Sequence, residues 1–60
     1  MDFWLNWAVK EAQNSWRIYR EPPIPKVVGV APDPEHGFFL VEFANGEKFK
    51  VIPSGIAKPL

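Results

Sequence analysis

The sequence has no cysteine, no threonine, two serines and a single histidine, His36. Without cysteine there is neither a disulfide framework nor thiolate chemistry. Charge of one sign is also missing. Seven basic and seven acidic side chains cancel, which argues against a protein whose main task is to coat phosphates. No apolar run approaches the ~20 residues needed to cross a bilayer. The N-terminal stretch from Met1 to Lys10 lacks a basic leading region and its apolar run breaks at Asn6, so it does not read as a signal peptide. A reducing, cytoplasmic setting is the expectation.

What remains is short and greasy. The chain has 60 residues, of which 47% are hydrophobic and 15% aromatic. That is too apolar for a disordered peptide and long enough for one small domain, 1–60, which buries only roughly 60% of the surface its unfolded chain exposes.

Residues 2–20 read as one helix. Asp2 is the expected N-cap, and no Gly or Pro interrupts the stretch to Arg20. Leu5, Ala8, Val9, Ala12, Trp16 and Tyr19 recur at steps of three and four and share one stripe. Asn6, Lys10, Gln13, Arg17 and Arg20 fall on a solvated side. Three prolines within 21–25 end the helix and give an extended connector. Pro22 and Pro25 match a bare P-x-x-P spacing, but no basic residue sits at the usual offset for a Pro-rich ligand.

Three strands are expected next, at 26–31, 38–44 and 47–52, with a turn over 32–37. The second hairpin can be registered by argument. A two-residue turn at Asn45-Gly46 mixes greasy and charged side chains on each face. A three-residue loop, Ala44-Asn45-Gly46, with Gly46 left-handed, pairs Phe43 with Glu47. Phe39, Val41, Phe43, Phe49 and Val51 then share one face, and Glu42 sits opposite Lys48 on the other. The expected fold is α+β: one N-terminal helix packed on a three-stranded antiparallel meander sheet. Val28 and Val30 complete the sheet's contribution to the core. The tail, 53–60, has no periodicity, and Ile56 and Leu60 are candidates for docking on the sheet edge.

Catalysis finds little support. Asp33, Glu35 and His36 lie on one small turn, where three ligands seldom converge on a metal. Ser15 and Ser54 have no base within sequence reach, Glu42 and Glu47 read as exposed sheet carboxylates paired with Lys, and neither a phosphate loop nor a dinucleotide fingerprint is present. The expectation is a non-enzyme with no cofactor, no metal and no small-molecule substrate.

The surplus aromatics are more informative. Phe3 and Trp7 project roughly 150° from the centre of the core stripe, with Ile18 near them and Trp4 on the boundary. Phe3, Trp4, Trp7 and Ile18 are therefore the candidate partner-binding residues of an interaction or regulatory module, homo-oligomeric or docked on another protein. The competing reading tucks Phe3, Trp4 and Trp7 under the tail or the Pro connector. A helix lying in a membrane interface is disfavoured, because its apolar stripe is needed to cover the sheet. A nucleic-acid face formed by Lys48, Lys50 and Phe38 is the alternative functional class; Glu42 on the same face cancels part of its charge.

Val27, Val28 and Val30, then Phe39, Val41 and Phe43, then Gly46, Glu47, Phe49 and Val51 follow a pattern that resembles the opening of the bacterial domain-of-unknown-function family 2442. The resemblance spans 25–51, somewhat under half of the chain. The Trp-rich helix is an addition to that pattern, and the family's downstream region is absent after Leu60. Some members are joined to DNA-binding helix-turn-helix regions or lie beside toxin–antitoxin genes, so the resemblance implies regulation through protein contacts. It carries no catalytic residue.

Overall fold

The computed structural model describes residues 3–60; the expected cap at Asp2 lies outside them. Helix α1, Phe3–Tyr19, is followed by β1, Val27–Asp33, β2, Phe38–Phe43, β3, Lys48–Val51, and β4, Ala57–Pro59. The strands form one antiparallel sheet in chain order. The α+β class and the helix are as the sequence implies. The sheet has four strands rather than three.

The helix closes where expected. Arg20 N–H donates to Trp16 C=O at 2.7 Å, the last turn before the Pro connector. Trp16 is buried, and its indole Nε1–H donates to Glu21 C=O at 3.0 Å. One side chain thus fills the core and fixes the exit of the chain.

The second hairpin adopts the bulged register. Phe43 N–H donates to Glu47 C=O at 2.8 Å, Gly46 N–H donates to Phe43 C=O at 2.9 Å, and Gly46 has φ 90°. Glu42 faces Lys48 and Val41 faces Phe49. The unforeseen strand follows from the same turn repeated. Gly55 N–H donates to Ile52 C=O at 2.8 Å, Ile52 N–H donates to Ile56 C=O at 2.7 Å, and Gly55 has φ 105°. Pro53 pre-sets the first central position of that turn. Residues 57–59 therefore pair with β3 instead of trailing, and Ala57 is buried beneath the helix.

The first strand also differs from expectation. It runs on through Pro32 to Asp33, which an edge strand tolerates because a missing N–H costs nothing on the open side. A register shift between Val27 and Gly29 makes Val28 the extra residue of a bulge. Val27 then packs on the core while Val28 is 59% exposed, so Val28 is not the core residue its spacing suggests.

Small residues set the interlayer distance. Ala8 and Ala12 are fully buried and let α1 approach the sheet. Behind them Trp16 stacks on Phe49 with ring centroids 5.5 Å apart and lies 4.8 Å from Phe43. Val41 and Val51 complete the buried floor. Tyr19, placed in the core by periodicity, is 44% exposed because it stands at the end of the helix and reaches Phe49 only edge-on. Leu5 and Val9 are half-buried.

Candidate functional site

Three of the four candidate partner-binding residues converge. Phe3 meets Trp4 edge-to-face at 5.5 Å, Trp4 meets Trp7 at 5.5 Å, and Trp7 meets Phe39 of β2 at 6.4 Å. The result is a chain of rings leading from the N-terminal end of α1 down to the sheet. Its far members stand in solvent, with Phe3 71% and Trp4 51% exposed. The C-terminal segment does not cover them, since it is committed to β4 on the edge of β3.

Trp7 sits deeper than its helical angle suggests. It is half-buried and packs against the core, so it anchors the cluster and leaves only part of its ring at the surface. Its long side chain reaches inward from a flank that helical angles alone place outside the stripe. Ile18 lies apart from the ring cluster. It is exposed, eleven residues beyond Trp7, or ~16 Å along the helix axis. Beside the rings, a shallow groove is lined by Phe3, Asn6, Trp7 and Lys10.

The second candidate face lies on the other side of the sheet. Phe38 is half-buried, with the Lys50 ammonium 5.6 Å from its ring centroid and the His36 ring stacked at 5.5 Å with planes 15° apart. Lys48 stands opposite Glu42, and Lys50 stands opposite Lys58 of β4. Lys58 escaped sequence reasoning because its strand did; the Pro53-Ser54-Gly55 turn is the signal that points to it. In comparisons with known proteins, no family model, curated protein or solved structure matches this chain.

The electrostatic partners are local. His36 Nδ1 lies 3.0 Å from Asp33 Oδ2. The hydrogen bond from His36 holds the Asp33 carboxyl below its usual range, opposed by partial desolvation. The His36 backbone N–H also donates to Asp33 Oδ1, at 3.3 Å. Among the described residues no three His, Cys, Asp or Glu side chains converge as metal ligands, and neither Ser15 nor Ser54 hydrogen-bonds to His36. Glu47 is not paired with a lysine as its strand position suggests. It accepts from Arg20 Nε at 2.8 Å and from Arg20 Nη2 at 2.9 Å. These bonds hold the Glu47 carboxyl below its usual range. No described helix is long and apolar enough to cross a membrane.

Proposed function

We propose that this chain is a small, non-enzymatic interaction module that self-associates or docks on another protein through the aromatic end of α1. The observation that carries this reading is the solvent-facing Phe3–Trp4 pair, linked through Trp7 to the core. A rigid anchor beneath exposed rings lowers the ordering cost that a flexible hydrophobic tip would incur on binding. Trp and Phe are also residue types that dominate interface energetics.

Magnitude narrows the partner. Phe3 and Trp4 together present roughly 250 Å² of ring surface, worth about 6 kcal/mol when buried. Association itself costs about 4–15 kcal/mol, so one patch against a polar surface yields little. A partner with its own apolar face, a second copy included, roughly doubles the gain. The association is weak and concentration-dependent, because a stable interface needs about 800 Å² on each side.

Sedimentation equilibrium across a wide concentration series tests the proposal on the wild type and a Phe3→Ala, Trp4→Ala double variant. The expected result is assembly of the wild type that the double variant loses, with equal resistance to urea when both are unfolded at a concentration too low for assembly, since self-association alone stabilises a folded chain. Trp7→Ala is a poorer probe, since removing a ring packed on Phe39 weakens the fold as well. A chain monomeric throughout removes self-association. A double variant that unfolds in less urea than the wild type at that low concentration removes docking, because the rings then serve the chain's own core.

A further inference from the structure

We infer that the sheet face opposite α1 binds single-stranded nucleic acid, with phosphates meeting Lys48, Lys50 and Lys58 and a base stacking beside His36 and Phe38. The neutral total charge of the chain hides how the fold distributes it. Of the acids, Glu47 pairs with Phe43 on the helix side of the sheet and is engaged with Arg20, and Asp33, beside this face, is engaged with His36. Glu42 stands opposite Lys48. Lys50 and Lys58 are left facing each other across β3 and β4 with no carboxylate in that register. Like charges directly opposite one another disfavour the sheet, and Lys50 eases this by leaning over Phe38. Phosphates along a bound strand would neutralise the like charges that the fold alone tolerates.

The apolar relief of this face selects the kind of anion. Gly29 and Ala31 carry almost no side chain, and with Leu40, Glu42 and Lys48 they line an open groove of about 330 Å³. The His36 side chain is more than half exposed and lies nearly parallel to Phe38. Flat, shallow, partly aromatic surface interleaved with lysine suits unstacked bases and a flexible backbone. A duplex demands a helix or a two-stranded ribbon that enters a groove; the only helix among the described residues is packed on the far side of the sheet, and the strands are joined in one four-stranded sheet. An acidic peptide would use the lysines but leave the stacked rings and the groove without a purpose.

Fluorescence anisotropy with a labelled mixed-sequence DNA single strand, titrated with the full chain at several salt concentrations, tests this inference. Three phosphate contacts give a log–log salt slope of about −2. Lys58→Glu should weaken binding at least tenfold while the chain stays folded, with an unfolding midpoint equal to or above wild type, since Lys50 then faces an opposite charge. His36→Ala should weaken binding several-fold with little change in slope. Phe3→Ala, Trp4→Ala should bind as the wild type does, which separates this face from the aromatic helix end. Absence of binding at low salt overturns the inference, as does binding that both Lys58→Glu and His36→Ala leave intact. Equal competition by the matching duplex or by polyglutamate overturns it too.

Discussion

Gly46 shows how one residue holds a register. Its φ of 90° lies where side chains are disfavoured, and open space surrounds the position a Cβ would occupy. The cost of a substitution there is therefore backbone strain alone. Gly46→Ala should lower unfolding stability by about 1–2 kcal/mol, and Gly46→Asn by less, because Asn tolerates the left-handed region. Urea titration followed by circular dichroism measures both, and an Ala variant as stable as wild type contradicts the turn assignment. Trp7 teaches the opposite lesson at the same scale. Its angle on the helix is legible in the sequence, but its contact with Phe39 depends on the length of its side chain and the position of β2.

Elements are joined by few, identifiable contacts. The bidentate Arg20–Glu47 pair ties the end of α1 to the turn between β2 and β3. Because Arg20 lowers the Glu47 carboxyl below its ordinary range, the pair stabilises the fold above the unfolded carboxyl's pKa. That contribution is lost as pH falls through the lowered value. Glu47→Gln should therefore unfold in less urea than wild type at neutral pH, and the two curves should converge in acid. A difference that persists at low pH assigns the effect to packing instead. The two bulged turns make a parallel point. Phe43–Glu47 and Ile52–Ile56 use the same bonding pattern, but only the first is flanked by long alternating strands. The second leads into a three-residue strand ending at Pro59, too short for periodicity to register.

For the molecule as a whole, the open questions of a single-layer sheet are its edges and its uncovered face. Phe43 bonds to Glu47, so alternation directs Val41 and Phe39 toward β3 and turns Leu40 and Phe38 toward β1. Val30 and Pro32 then face the open side of β1. On the other edge Ile56 and Leu60 bond to β3, which leaves Ala57 and Pro59 facing out. Each edge thus carries a proline where an N–H would otherwise invite another strand. Replacing both, Pro32→Thr with Pro59→Thr, should promote strand-to-strand association. Sedimentation should show added assembly that Phe3→Ala, Trp4→Ala does not reverse; unchanged sedimentation would mean that the prolines do not guard the edges.

Local chemistry made much of this protein readable in advance. Steps of three and four placed Ala8, Ala12 and Trp16 on one stripe, alternation placed Val41, Phe43, Phe49 and Val51 on one face, and turn stereochemistry chose between two registers at Asn45-Gly46. Each of these depends on residues a few positions apart. The tertiary structure decided that Val28 bulges outward, that residues 57–59 pair with β3, that Trp7 packs on Phe39, and that Ile18 lies apart from the ring cluster. It also decided that Glu47 turns to Arg20 while Lys50 and Lys58 share a face. Those outcomes depend on which distant segments become neighbours, and a pattern that records only the facing of each element holds no information about what it faces.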